Sequence, residues 1–126
     1  MDKIFVYGTL KRDGRYFSSI EKEVKFIRDD VYVRGVLISL GKYPGLIEGN
    51  GKVIGELFSI TEIGLKKCNK IEGYSYYDKD KNLYYPMRKD IFSEQEIFVD
   101  SAIVYIFNTV STYFVWQNKT AKIIVG

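Results

Sequence analysis

The 126-residue chain is 46% hydrophobic and 28% charged, with 19 basic residues against 16 acidic ones and a formal net charge of +3. Length and balance fit one soluble domain over residues 1–126 with a single core, and so mild a charge gives no reason to expect a nucleic-acid partner. Histidine is absent and cysteine occurs once, which removes histidine-based nucleophilic triads and the usual zinc sites, excludes an internal disulfide and fits a reducing cytoplasm.

Taken in chain order, the apolar run Lys3–Tyr7 predicts a first strand, broken at once by the glycine of "YGTLKRDG". The opening MDKIFVYG is unlike a signal peptide, and no later run approaches the ~20 apolar residues of a membrane span. Arg15–Lys25 is weakly patterned as a helix. Strands are expected at Val31–Leu40 and Val53–Ile60, separated by the turn signals GKYPG and EGNGK. The stretch Thr61–Glu72 predicts a second helix, with Thr61 as N-cap and Gly73 as C′ residue. Further strands are expected at Tyr84–Phe92, Ile97–Phe107 and Lys122–Val125. Eleven Tyr and eight Phe suit strands and half-wet walls. Together these elements predict an α+β domain, a small mixed β-barrel-like sheet with two short helices.

Two features carry chemistry. On a wheel of ~100° per residue with Leu65 at zero, Cys68 falls near ~300°, Ile71 near ~240° and Glu72 near ~340°. Lys66, Lys67, Asn69 and Lys70 occupy roughly 40° to 200° on the same geometry. Glu72 is therefore expected between Cys68 and Leu65, inside the apolar stripe, unless the last turn frays and releases it into water. Burial there raises a carboxylate's pKa toward the range of a useful general base. The glycine-opened loop after the first strand offers backbone N–H donors to an anion or a polarised carbonyl oxygen. A base and an oxyanion site are the minimum for acyl transfer without histidine.

The segments "VYGTLKRDG", "VRGVLISLGKYPGLI", "VIGELFSI", "LKKCNKIEGY", "YYPMRK" and "AIVYIF", in this order and spacing, resemble the γ-glutamylcyclotransferase-like (AIG2-like) family. The resemblance implies a small barrel-like α+β domain with a cavity at one end. It also implies a cofactor-free and metal-free enzyme of the cyclising transferase or lyase type, acting on a small γ-glutamyl substrate. In that reaction the substrate's α-amino nitrogen attacks its own γ-carbonyl and expels an amine, leaving 5-oxoproline. Glu72 matches the family's proton-transferring glutamate. Tyr7, Gly8, Thr9 and Leu10 match the loop that holds the substrate, with Gly8 letting the backbone approach without a side chain.

Other residues carry two readings each. Tyr43, in YPGL, either lines the pocket mouth or belongs to a plain turn. Arg88 either pairs with the substrate's α-carboxylate or is a surface arginine. Cys68 reads as packing rather than as a nucleophile. The stretch "GYSYYDKDKNLYYPMRK" interleaves aromatics and bases in a way compatible with single-stranded nucleic acid, but its own acids, Asp78 and Asp80, cancel much of that charge. A non-catalytic binding module on the same fold is the alternative to the enzyme. No nucleic-acid or membrane partner is expected, and the sequence sets no oligomeric state.

Overall fold

The computed structural model describes residues 2–7, 11–12, 14, 17–39, 44–72, 74, 82–109 and 122–123. Strand β1 runs over Asp2–Val6, β2 over Val24–Ser39, β3 over Pro44–Ile60, β4 over Tyr84–Ser93, β5 over Phe98–Phe107 and β6 over Lys122–Ile123. The helix α1 spans Glu62–Ile71, and two single 3-10 turns cover Phe17–Ser19 and Glu21–Glu23.

The sheet order is β3-β1-β5-β4-β2-β6, and β2 also pairs with β3. That extra pairing closes five strands, β1 to β5, into a barrel, with β6 as an added edge beside β2. Among the described residues every strand pairing is antiparallel except β1 with β5, which run parallel at Ile4 and Ile103. The mixed, barrel-like α+β sheet expected from the sequence is therefore the observed architecture.

Alternation along β1 explains how one small sheet supports two apolar clusters. Phe5 packs with Val33, Leu46, Leu57, Val104 and Ile106 inside the barrel. Ile4 and Val6 point the other way, joining Phe58, Ile60, Tyr105 and Cys68 of α1 in a second cluster. The helix thus covers the outer face of β1, β3 and β5, and each large apolar side chain it helps bury contributes about 1.5–3 kcal/mol. Gly55 lets β3 pass close to β1, because a Cβ there would come within 2.5 Å of the Phe5 ring and closer still to the Val6 carbonyl.

Two expectations are corrected. Arg15–Lys25 does not form a helix: its described part is the pair of 3-10 turns, and β2 begins at Val24 rather than Val31. The strand signal is masked because Val24–Asp30 is mostly solvent-facing, with Phe26 and Ile27 both exposed. Register shifts between Phe26 and Val31 let the charged run Arg28-Asp29-Asp30 bend outward, where Arg28 Nε bonds Asp30 Oδ1 at 2.6 Å. Likewise EGNGK does not separate two strands. It lies within β3, opposite the shift between Arg34 and Val36 of β2, so a turn-like composition marks an irregularity in a continuous strand.

The start of α1 is built as the sequence predicts. Thr61 Oγ accepts from the Gly64 N–H at 3.0 Å and donates to Glu23 Oε2 at 2.6 Å, so the N-cap also ties the helix to the preceding 3-10 turn. At the other end Glu72 is the C-cap, and the Tyr74 N–H donates to the Asn69 carbonyl at 2.8 Å. Gly73 lies outside the described residues.

Candidate functional site

The end of α1, the end of β1 and the last residues of β5 converge. Glu72 is half-buried, with its carboxylate within electrostatic reach of the Tyr7 and Tyr105 hydroxyls and the Cys68 thiol. The side chain turns toward the apolar stripe, beside Cys68, as the wheel predicts. Loss of water is what raises its pKa, from 4.5 to about 7. The remaining groups stay protonated at neutral pH. Burial, with a smaller contribution from Glu72, pushes Cys68 up to about 12. Burial likewise raises Tyr7, opposed in part by a hydrogen bond from Leu46 and reinforced by the Glu72 charge. Tyr105 is raised by burial first, then by Cys68, Glu72 and Tyr74. A carboxylate poised to exchange a proton near neutrality is thus set among neutral hydroxyl and thiol groups.

The hydrogen bonds decide what each neighbour can offer. Tyr7 Oη donates to the Tyr105 carbonyl at 2.6 Å and accepts from the Leu46 N–H at 3.0 Å. Its proton is committed to the backbone, so Tyr7 joins β1, β3 and β5 at the site's floor. Tyr105 Oη donates to Asn69 Oδ1, which holds the phenol against the last turns of α1. Asn69, placed with the lysines by the wheel, lies at the boundary of the polar face and is half-buried.

Among the residues singled out from the sequence, the structure brings Tyr7 and Glu72 together. Gly8, Thr9, Leu10 and Tyr43 lie outside the described residues, as does the tyrosine-rich run 75–81. Arg88 stands elsewhere: it is exposed on β4, and its Nη2 donates to Asp2 Oδ1 at 2.7 Å. Asp2 and Tyr7 sit at opposite ends of the first strand, so Arg88 is remote from the Glu72 cluster.

Three polar residues of this region escaped the sequence reading. Tyr105 and Asn69 carry no local signal, because a tyrosine in a strand and an asparagine in a lysine-rich helix are ordinary. Glu56 carries a faint one, as the single acid in the apolar run VIGELFSI. It is 7% exposed and accepts from the Arg12 N–H and Nε at 2.7 and 3.1 Å.

The family model described as "Gamma-glutamyl cyclotransferase, AIG2-like" matches residues 4–123, nearly the whole chain. The chain belongs to this γ-glutamyl cyclotransferase, AIG2-like family. A member from Niallia circulans, γ-L-glutamyl-butirosin B γ-glutamyl cyclotransferase, is 34% identical over 85 residues, 67% of this chain and 54% of that protein. A putative γ-glutamylcyclotransferase of Vibrio cholerae is 30% identical over 69 residues, 55% of this chain and 60% of that protein. The chain thus spans little more than half the length of these γ-glutamyl cyclotransferase relatives. Among solved structures, an AIG2-like protein from Mus musculus superposes with a TM-score of 0.69 at 22% identity, covering 92% of this chain and 83% of that one. At that identity the likeness speaks to the fold, which is the family's. No helix among the described residues is long and apolar enough to cross a membrane.

Proposed function

We propose that this member of the γ-glutamyl cyclotransferase family cleaves a small γ-glutamyl amide by intramolecular cyclisation, releasing 5-oxoproline and a free amine, without metal or cofactor and in the cytoplasm. The observation that carries the reading is the placement of Glu72 at the end of α1, desolvated and beside Tyr7 where the first strand gives way to the glycine loop. The α-amino group of such a substrate arrives largely as an ammonium ion, and its nitrogen attacks only after losing a proton. Glu72, with a pKa of about 7, is matched to accept that proton. The nitrogen then adds to the γ-carbonyl carbon, and the carbonyl oxygen takes up the negative charge. Backbone N–H groups of the loop Tyr7–Leu10 are the donors proposed to hold that oxygen. Collapse of the tetrahedral species breaks the original C–N bond, the proton held by Glu72 passes to the departing amine, and the carboxylate so freed takes the extra proton from the ring nitrogen, leaving the neutral lactam. Because the ring closes within one bound molecule, orientation and proton traffic supply most of the acceleration. No covalent nucleophile is needed, and Cys68, buried and protonated, is not one.

In this reading Tyr7 and Tyr105 shape the site and keep it dry around the carboxylate. Arg88, engaged by Asp2, takes no part, and recognition of the α-carboxylate falls to the loop. The relative named for γ-glutamyl-butirosin extends the substrate class to γ-glutamyl groups on amines other than amino acids, so the leaving amine is to be found by screening.

The test is a panel of γ-glutamyl amino acids, γ-glutamyl-lysine and γ-glutamyl amines, with 5-oxoproline followed by mass spectrometry. Wild-type protein is expected to release it from at least one class, and Glu72→Gln to lose that activity while melting cooperatively. Activity retained in Glu72→Gln removes the carboxylate from the mechanism. Saturable binding of the same compounds without product identifies a binding module instead.

A further inference from the structure

Two phenols stand within electrostatic reach of the Glu72 carboxylate, and both direct their protons elsewhere. The Tyr7 hydroxyl donates to the Tyr105 carbonyl at 2.6 Å. The Tyr105 hydroxyl donates to Asn69 Oδ1. Asn69 lies one helical turn before Glu72 on α1, and side chains three positions apart on a helix are neighbours on its surface. The phenol that meets Asn69 is therefore close to Glu72 as well, and the carboxylate helps to raise its pKa.

Strength alone does not explain this choice of acceptor. A carboxylate binds an O–H more firmly than a neutral amide does, because charge-assisted hydrogen bonds are shorter and about twice as strong. The Tyr105 proton goes to the amide because Asn69 places an oxygen at the tip of the phenol. The consequence falls on Glu72. A donor to a carboxylate favours its ionised form and weakens it as a base, whereas loss of water without a donor strengthens it. Burial sets the Glu72 pKa, and among the described residues no cation or hydrogen-bond donor opposes it. The other titratable groups here are the protonated Cys68 thiol and Tyr74, which acts on Tyr105. Lys66, Lys67 and Lys70 of α1 are exposed.

We propose that Asn69 is a positioning residue for proton transfer: its side-chain carbonyl turns the Tyr105 hydroxyl away from Glu72 and so keeps that carboxylate free of donors and strongly basic. The inference rests on the reading of Glu72 as the base. It gives a purpose to a half-buried amide in a lysine-rich helix, a residue that touches no reacting atom. Ending the helix does not require that side chain. The Glu72 N–H donates to the Cys68 carbonyl and the Tyr74 N–H to the Asn69 carbonyl, both at 2.8 Å and both through the backbone.

The experiment follows the Glu72 carboxyl by carbon-13 NMR of glutamate-labelled protein across the neutral pH range, its signal identified by its loss in Glu72→Gln. Over the same range kcat is measured on a γ-glutamyl substrate. The variants are Asn69→Leu, which keeps the size and removes the acceptor, and Asn69→Leu combined with Tyr105→Phe. Asn69→Ala replaces Asn69→Leu if leucine prevents folding. Asn69→Leu is expected to lower the Glu72 midpoint by about one pH unit, as the Tyr105 hydroxyl turns to the carboxylate. The rising limb of kcat moves with it, and the high-pH plateau falls severalfold because a weaker base accepts the substrate's proton less readily. The double variant returns to the wild-type midpoint, since no phenol proton remains to be donated. A merely structural role lowers the melting temperature and leaves the Asn69→Leu midpoint at that of wild type, which overturns the inference. A midpoint that falls equally in the single and double variants makes entering water the cause, and overturns it too. Both results are read without turnover and leave the reaction itself standing. A wild type that releases no 5-oxoproline from any compound overturns the reaction, and with it the role of Asn69 in cyclotransfer.

Discussion

At the scale of single residues, Glu72 sets the character of the site, and its protonation also bears on stability. Its pKa rises from 4.5 to about 7 on folding because the carboxylate loses water. The folded state therefore binds this proton more tightly than the unfolded chain does. At pH below 4.5 both states hold the proton and nothing is lost. As pH climbs toward 7 the unfolded chain ionises first, and stability falls until the folded protein ionises too. The full difference corresponds to about 3 kcal/mol, reduced by whatever water still reaches the half-buried side chain. Glu72→Gln, inactive by the reading above, is accordingly expected to be more stable than wild type at pH 8 and no more stable at pH 4. Thermal melts at the two pH values check this. A variant less stable at pH 8 means that an unseen positive partner holds the carboxylate, and that burial is not the dominant influence.

Secondary-structure elements are held around the site by a few long-range polar contacts laid over the apolar clusters. Tyr7 bonds the backbones of β3 and β5 from the end of β1, and Thr61 fastens α1 to the 3-10 turn at Glu23. Removing the Tyr7 hydroxyl leaves the Leu46 N–H and the Tyr105 carbonyl without this partner where burial is nearly complete. An orphaned buried group costs about 1–3 kcal/mol. Tyr7→Phe should therefore lower the urea midpoint by an equivalent amount with an unchanged slope. A midpoint equal to wild type would show that water replaces the hydroxyl, leaving Tyr7 as packing alone. Element boundaries followed local sequence where apolar alternation was strong, as in β1 and the end of β3. They departed from it at β2 and mid-β3, where a closed barrel requires long, bent strands. Such strands place charged and glycine residues at the bends, where local composition resembles a turn.

For the whole molecule, the absence of histidine has a consequence that is simple to measure. The other described carboxylates with displaced pKa values are moved downward: Asp30 by Arg28, Glu96 by Lys52 and Asp100 by Lys3. The Tyr7, Tyr105 and Cys68 side chains are moved upward. Between pH 5 and 8 the described side chains thus leave Glu72 as the displaced group that titrates. Because the base must be ionised to accept the substrate's proton, kcat is expected to rise with pH through one midpoint near 7 and to show no second side-chain limb between pH 5 and 8. Kinetics across that range check it, and a falling limb centred near 7 would require the acid form to act first. The same barrel that creates this titration keeps Glu72 from bulk water, so the pH response belongs to the tertiary structure.

Much of this protein was legible without coordinates. Composition excluded histidine and disulfide chemistry, alternation marked most strands, and the 3.6-residue period turned Glu72 toward the apolar stripe. These are local properties: each depends on residues within a turn or a strand of one another, and the backbone's two periodicities are enough to extract them. Closure of the sheet, the meeting of Glu72 with Tyr7 and Tyr105, the pull of Glu56 on Arg12 and the removal of Arg88 to the far end of β1 depend on pairs separated by tens of residues. Which buried polar group finds which partner is decided when a closed barrel forces every strand to satisfy two neighbours at once.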